Sequence, residues 1–276
     1  MPDLSLADDP TPFALAVQRL DAKTPIGSIL RSEHWEQVPL ALRERAQFSA
    51  GIEQASVMQA VQDKLQEWVE LSSNKSNRAF MDRSRFVAEM RQVMQSNGLD
   101  EGHGGITNPA SKARLELIYN FQTTDAAEFG RWQMGQDPDV LDAFPAQEFL
   151  RVESRNQPRS DWSERWAAAG GRTYDGRWIA LKSDPVWVGI SRFGRPWPPF
   201  DFGSGMGVED ISRVEAERLG LLKKGQKAKP VKAQFNQSLQ ASVKNLAPSM
   251  QEALKTLFGS QIQIKDGTAS WNHKNS

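Results

Sequence analysis

The sequence predicts an α+β fold, with a helix-rich N-terminal region and a smaller mixed α/β C-terminal region. Between residues 53 and 134, apolar residues recur at spacings of three and four, which is the period of amphipathic helices. After Pro138 the pattern changes to short apolar runs separated by turn-forming residues, which is typical of strands. The change places a boundary near residue 137.

Helices are expected along residues 1–137 wherever an apolar period meets a cap or a proline at the first helical position. The strongest stripe runs through Val57, Val61 and Leu65, and a second runs from Ser84, as a cap, to Gly98. The expected segments are 11–20, 24–35 (a short helix and a connection), 39–46, 53–71, 84–97 and 109–134.

The second region, 138–220, is expected to hold a short helix at 140–144 and strands at 147–152, 176–181 and 185–190. A capping box formed by Ser212 and Glu215 then begins a helix that Gly220 closes. A lysine-rich linker follows at 221–233. Residues 234–276 are expected to form two helices, 235–246 and 248–258, and a terminal hairpin that turns at Asp266-Gly267.

Composition excludes several classes of function. The chain has no cysteine, so it forms no disulfide and has no thiolate chemistry. Its 34 basic and 34 acidic residues balance, so no overall field attracts it to a polyanion. The acidic N-terminus lacks the apolar core of a signal peptide, no apolar run is long enough to span a membrane, and no membrane partner is expected. The three histidines are scattered, and neither a metal nor another cofactor is predicted.

No catalytic residue is predicted either. The sequence contains neither a Gly-x-Ser-x-Gly elbow nor a phosphate-binding loop, and Asp201-Phe202-Gly203 lacks the other kinase motifs. The carboxylate pairs Asp161/Glu164 and Glu209/Asp210 are candidates for acid–base work, but Asp161 is better explained as a helix cap and the second pair as anions preceding a helix. We therefore expect a protein that is not an enzyme.

The most distinctive stretch joins a stiff aromatic-proline run to a glycine run at 194–209. Prolines fix φ and favour extended backbone before them, whereas glycines allow positive φ and close backbone approach. This composition predicts one specific irregular loop with a structural role. Its motif positions are Trp197, Pro198, Pro199, Asp201, Gly203, Gly205 and Gly207.

Arginine alternates with aromatic residues between 151 and 200, where eight arginines and one lysine face five acids. Guanidinium groups suit phosphate and flat rings suit base stacking, so this region could contact nucleic acid. Alternatively, the arginine stems cover a tryptophan-rich core. The lysines of the linker are either a separate contact for phosphate or acidic partners or a solvated tether. The candidate contacts with DNA or a partner are Arg165, Arg177, Arg192, Arg195, Lys223, Lys224 and Lys227.

Three parts of the chain resemble a known family. The segment from Arg45 to Trp68, the run Arg114–Trp132, and above all Gly194-Arg-Pro-Trp-Pro-Pro-Phe-Asp-Phe-Gly-Ser-Gly-Met-Gly-Val-Glu-Asp-Ile-Ser-Arg213 are similar to the Mu F-like head morphogenesis proteins of tailed phages and prophages. The resemblance covers roughly residues 40–220. The motif at 194–213 is fairly specific, and the helical part is less so.

The resemblance implies a non-enzymatic minor capsid protein at the portal vertex of the virion head, assembled in the bacterial host cytoplasm. Implied partners are the portal protein, capsid or scaffolding proteins, and double-stranded DNA bound without sequence specificity during packaging or release. Many relatives carry a cysteine and histidine cluster near this region, but this chain has neither residue between 104 and 272. We therefore expect its tryptophans and glycines to replace metal ligation by burial. The alternative function is an enzyme or binding protein that acts on nucleic acid through residues 151–200.

Overall fold

The computed structural model describes residues 15, 19–20, 23–25, 32–35, 37–43, 46–47, 49, 52, 55–73, 83–99, 105–231, 240–244 and 246–271. The fold is α+β, as the sequence predicts, with helices dominating the N-terminal half and an antiparallel sheet following. The helices are α1 (Ser32–Trp35), α2 (Leu40–Arg43), α3 (Ala55–Ser73), α4 (Arg83–Ser96), α5 (Lys112–Met134), α6 (Pro138–Ala143), α7 (Trp162–Ala168), α8 (Val186–Ile190), α9 (Arg213–Arg218) and α10 (Pro248–Phe258).

The strands are β1 (Thr24–Pro25), β2 (Ala46–Gln47), β3 (Ala146–Arg151), β4 (Thr173–Tyr174), β5 (Arg177–Leu181), β6 (Met206–Ile211), β7 (Gln240–Ser242), β8 (Ile262–Lys265) and β9 (Thr268–Trp271). They form a parallel pair β1-β2, a four-stranded antiparallel sheet in the order β4-β5-β3-β6, and a three-stranded antiparallel sheet in the order β7-β9-β8. Among the residues described, no helix is both long and apolar enough to cross a membrane.

The chain divides into two compact units. The flanking unit is built on residues 17–122 and 234–276, and the central unit on residues 1–16 and 123–233. This division differs from the sequence-based domains at 1–137, 138–220, 221–233 and 234–276. The boundary falls inside α5 rather than at Pro138, and the lysine-rich segment belongs to the central unit instead of standing between domains.

The flanking unit has a core that draws on both ends of its sequence. Val38 and Leu42 pack with Leu254, Phe258 and other apolar residues of the C-terminal segment in one buried cluster. The C-terminal segment therefore completes a core that α2 begins, which explains why it is not a separate appendage. Beside it, α3 and α4 bury the apolar stripes that the sequence predicts: Val57, Met58, Val61 and Leu65, and Phe86, Val87, Met90 and Met94.

The central unit places helices on both faces of its four-stranded sheet. On one face, Phe149 and Met206 pack against Trp162 and Trp166 of α7 and Trp187 of α8. On the other face, Ala146, Ile179 and Ile211 pack against Ala216 of α9. Alternation along the strands assigns these residues to opposite faces, because neighbouring strand residues point in opposite directions.

Several expected elements are confirmed near their predicted bounds. α9 begins at the capping box, where Ser212 Oγ accepts from the backbone N–H of Glu215, and Gly220 follows it at φ +77°. The hairpin β8–β9 turns through Asp266 and Gly267, both at positive φ as a tight hairpin turn requires. By contrast, Ser84 lies inside α4, which begins at Arg83, so it is not the cap.

The expected strand at 185–190 is wrong, because these residues form α8. Asp184 Oδ1 accepts from the N–H of Val186 at 2.8 Å and turns the chain into a helix, which buries Val186, Trp187 and Ile190 together. The expected helix at 235–246 is also wrong where it is described: Gln240–Ser242 pair with β9 as a third strand, and an isolated hairpin gains support from such a partner. Residues 232–239 and most of 11–20 lie outside the described residues.

Candidate functional site

The motif stretch forms a loop between α8 and β6 that we call the clasp, residues 191–205. The chain crosses back on itself there, since the N–H of Arg192 donates to Phe200 O at 2.9 Å. A second backbone bond joins Gly194 N to Ser191 O at 3.1 Å, and the Pro198-Pro199 peptide bond is cis. The clasp is thus a closed loop, whose ends enter α8 and β6.

A buried carboxylate on α5 holds the first half of the clasp. Asp125 is fully buried, and its Oδ1 accepts from the Trp197 indole N–H at 2.9 Å. The guanidinium of Arg195, itself 4% exposed, lies 3.0 Å from the same oxygen. The Trp197 ring packs against Phe129 and Trp132 of α5, with centroids 5.2 and 5.0 Å away. Arg195 and Trp197 therefore belong to the interior.

A second buried carboxylate, Asp201, holds the other half. Asp201 is 3% exposed; its Oδ2 lies 2.9 Å from Arg165 Nη1, and its Oδ1 accepts from the N–H of Phe202 at 2.7 Å. Guanidinium nitrogens of Arg159 and Arg192 also lie 3.4 and 3.7 Å from Oδ1. Three arginines thus surround one carboxylate.

Arg165 joins Asp201 to the tryptophan core. It projects from α7, donates to the carbonyl of Ile190 at the end of α8, and stacks over the Trp162 ring at 4.2 Å from its centroid. Its side chain is 23% exposed, because its guanidinium is used inside the unit. One arginine therefore links α7, α8 and the clasp.

Phe200 and two prolines occupy the part of the clasp between Trp197 and Asp201. Phe200 has no exposed surface and packs edge-on against Phe149 and in a stacked arrangement against Trp187. Prolines 198 and 199 set the backbone that carries Trp197 and Phe200 inward, since a proline restricts both its own φ and the residue before it. The aromatic-proline run is explained by this packing.

The glycines of the motif act for different reasons. Gly203 and Gly205 have φ of +58° and +67°, a region that disfavours side chains. A Cβ at Gly205 would also lie 2.6 Å from the carbonyl oxygen of Glu153, whereas one at Gly203 would meet nothing within 4 Å. A Cβ at Gly207, in β6, would lie 2.8 Å from the Val152 side chain. Gly205 and Gly207 therefore allow the chain to approach its neighbours closely.

The strand that sequence reasoning missed begins in the glycine run. Met206–Ile211 form β6, paired with all six residues of β3. Glu209 and Asp210 consequently lie within β6, which ends at Ile211 just before the Ser212 cap of α9. The Asp210 carboxylate pairs with Lys182 at 2.9 Å, so the two acids are strand residues and not anions of the helix terminus. Asp161 is corrected too: its side chain makes no capping bond and lies 3.9 Å from Arg165.

The remaining candidate contacts lie in different environments. Arg177 on β5 is held by two carboxylates: its Nε donates to Glu148 at 2.9 Å, and its Nη1 donates to Glu215 of α9. Hydrogen bonds to Glu148 and then Glu215 raise the pKa of the Arg177 guanidinium above its ordinary value. Arg192 is partly exposed, whereas Arg195 is 4% exposed and has almost no surface with which to touch DNA.

The tryptophans of this region are largely interior residues. Trp162, Trp166, Trp187 and Trp197 are each at most 5% exposed, and Trp178 packs beside Phe149. Base stacking needs an accessible ring face, so the four buried tryptophans cannot provide it in this structure, and Trp178 is half-buried. The interpretation in which arginine stems surround a tryptophan core fits the structure.

The lysine-rich segment is anchored to the central unit at several points. Leu222 is buried, and the N–H groups of Gly225 and Val231 donate to the side chains of Glu217 and Gln136. Lys223, Lys224 and Lys227 are exposed along it. The segment is therefore a charged surface of the central unit, rather than the tether considered from sequence.

The part of the chain that the structure describes contains no group of three histidine, aspartate or glutamate side chains placed to hold a metal ion. Sequence reasoning missed two residues of the site, Asp125 and Arg159. Asp125 had a usable signal, because it lies on the apolar stripe of α5 at four residues from both Phe121 and Phe129. An acid at such a position is buried and needs a cationic partner.

Comparisons with protein-family models, with curated proteins and with solved structures return no match to this chain.

Removing the Asp201 carboxylate should destabilise the protein strongly. Asp201→Asn removes the buried counter-charge that lies 2.9 Å from Arg165, and breaking such a buried pair costs about 3 kcal/mol. Asp161→Asn is the matched control, because the same Arg165 lies near its 49% exposed carboxylate, and it should change stability by less than about 0.5 kcal/mol. Denaturant unfolding measures both, and equal effects would contradict the assignment.

Alanine at the two positive-φ glycines should separate backbone strain from crowding. Gly203→Ala should cost about 1 kcal/mol, the penalty for a side chain at positive φ. Gly205→Ala should cost roughly 2 kcal/mol more, because its Cβ meets a carbonyl oxygen as well. Thermal unfolding of the two variants gives the comparison, and a larger loss for Gly203→Ala would show that the packing at Gly205 is misassigned.

Proposed function

We propose that this protein is a non-enzymatic minor head protein of a tailed phage or prophage. It associates with the portal vertex, assists procapsid assembly and DNA packaging or release, and resides in the virion head after assembly in the host cytoplasm. Its partners are the portal protein, capsid or scaffolding proteins, and DNA. The resemblance of residues 194–213 to the Mu F-like head morphogenesis family suggests this role.

The observation that carries the proposal is the enclosure of the motif. Asp201, Trp197 and Phe200 are buried. The Trp197 indole N–H and the Asp201 carboxylate hold α5, α7 and the clasp together. Motif residues that are buried and hold the loop in place are consistent with an assembly protein. A catalytic loop, by contrast, presents its reactive groups to a substrate. The closed clasp therefore supports a structural role.

The charge distribution supports a further part of the proposal, contact with DNA. Lys223, Lys224 and Lys227 are exposed on an anchored segment, and Arg159 and Arg192 are partly exposed around Asp201. Lysine and arginine contacts to phosphates give affinity without sequence information. The burial of the tryptophans disfavours the alternative in which bases stack on this region during catalysis.

Incorporation into heads tests the function. In a phage or prophage whose own gene is deleted, the protein supplied in trans should appear in gradient-purified heads in few copies relative to the portal protein, as counted by mass spectrometry. A chain lacking residues 194–213 should be absent from heads, with soluble expression checked separately. Purified heads without the wild-type protein would contradict the proposal.

A salt titration tests the DNA contact and the enzymatic alternative together. Wild-type binding to duplex DNA should weaken with salt, and replacing Lys223, Lys224 and Lys227 by Gln should reduce the slope of log K against log salt by about 2 to 3, since each phosphate contact contributes about 0.9. The substitutions are on the surface, so the fold should be unchanged. An unchanged slope would remove these lysines from the contact, and metal-dependent cleavage of the DNA would favour the enzyme.

A further inference from the structure

Four arginines lie against the second half of the clasp and form a basic surface with Phe202. Arg151 and Arg159 donate to backbone carbonyls of the clasp at 3.0 and 3.4 Å. The stem of Arg155 packs over the last glycine of the clasp, where a Cβ would lie 3.0 Å from the arginine Cγ. The Arg192 guanidinium lies 5.8 Å from the centroid of the Phe202 ring. We call these five residues the arginine surface.

The acids beside the arginine surface are fewer than its cations. Glu153 pairs with Arg155. Asp201 serves chiefly Arg165, at 2.9 Å, and the two arginines of the surface that share it are 3.4 and 3.7 Å away. Charge-assisted hydrogen bonds are about 2.7–2.9 Å long, so Asp201 does not fully neutralise these two. The surface is also accessible, since Arg155, Arg159, Arg192 and Phe202 are each between 37 and 41% exposed.

The N-terminal segment of the chain, residues 1–14, has the opposite charge. It contains three aspartates, no lysine, arginine or histidine, and one aromatic residue, Phe13. The segment lies outside the described residues, but the division of the chain assigns residues 1–16 to the central unit, and Leu15 is buried. Fourteen residues span at most about 50 Å, whereas a unit of this size has a radius of gyration of about 13 Å. The arginine surface is therefore within reach of the segment.

The covalent connection makes even a weak contact between the two sufficient. A segment joined to its site through a short tether has an effective concentration on the order of millimolar. A dissociation constant of about 1 mM would therefore keep the segment docked for half of the time. Arginine and aromatic residues are enriched at the centres of protein interfaces, and arginine–carboxylate pairs are among the stronger polar contacts. The arginine surface offers both kinds of group to an acidic segment that carries a phenylalanine.

We propose that residues 1–14 dock on the arginine surface and compete there with DNA phosphates. The aspartates pair with the guanidinium groups, and Phe13 packs against Phe202. Carboxylate and phosphate bind the same guanidinium donors, so the docked segment and DNA exclude each other. The docking does not depend on the head-protein function, whereas the competition rests on the DNA contact proposed above for Arg159 and Arg192.

Disulfide trapping in the full chain tests the docking. The chain has no cysteine, so an introduced pair is the only one that can form a bridge within it. Ala7→Cys is combined either with Ser154→Cys, exposed beside the arginine surface, or with Val214→Cys, which is 80% exposed elsewhere on the central unit. The second position is a demanding control because it adjoins the exposed lysines: Arg213 donates to the carbonyl of Gln226 at 3.0 Å.

The bridge to position 154 should form at least about fivefold faster than the bridge to position 214, after each thiol's own rate with a small disulfide is divided out. Raising the salt from about 0.05 to 0.5 M should remove this preference, because screening weakens exposed ion pairs. Adding Asp8→Asn and Asp9→Asn should remove it as well. Equal rates at low salt would overturn the docking, and a faster bridge to position 214 would place the segment at the lysines instead.

Affinity for duplex DNA tests the competition. The two aspartate substitutions should tighten binding by at least about twofold at low salt, because a site that is docked half of the time becomes fully available. Asp139→Asn with Glu209→Gln removes the same charge from exposed positions of the central unit and should have a smaller effect. Equal gains for the two pairs would overturn the competition. Absence of DNA binding by every variant, with selective trapping retained, would contradict the DNA contact of the proposed function and leave the docking intact.

Discussion

The central unit depends on the burial of the Asp201 carboxylate among arginines. A carboxylate without counter-charges is strongly disfavoured in an interior, so Asp201 can remain buried only while Arg165 and its neighbours stay in place. Arg165 comes from α7 and also binds the end of α8. Because Asp201 needs its counter-charges in order to stay buried, α7, α8 and the clasp are fixed relative to one another.

The Asp125 carboxylate imposes a similar constraint from α5. It binds both Arg195 and the indole of Trp197, so charge and aromatic packing together hold the first half of the clasp. Replacing a buried ion pair with apolar groups is often neutral for stability. What the two carboxylates contribute is therefore a single geometry for an irregular loop that has little regular backbone pairing. This constraint accounts for the motif residues without invoking chemistry at the surface.

The elements that local sequence signals specify were predicted correctly. The predictions failed where contacts between distant residues decide which element forms. The stripes of α3 and α4, the capping box and the Asp266-Gly267 hairpin are local signals, and each formed near its expected place. Val186–Ile190 has the composition of a strand, but the Asp184 turn and burial of Trp187 make it a helix. β6 was hidden by the glycine run that leads into it, whose last member, Gly207, is needed for the close approach of Val152. Which arginines are interior could not be predicted, since Arg195 and Arg192 differ only in their partners across the chain.

A double-mutant cycle between Asp201 and Arg165 tests the central claim most directly. The stabilities of Asp201→Asn, Arg165→Gln and the double variant give the interaction energy of the two side chains, free of the cost of each substitution alone. A coupling of about 2 kcal/mol or more is expected, since pairs in one buried network couple by up to about 3 kcal/mol. A coupling below about 0.5 kcal/mol would show that the two act independently and that the clasp is held by apolar packing instead.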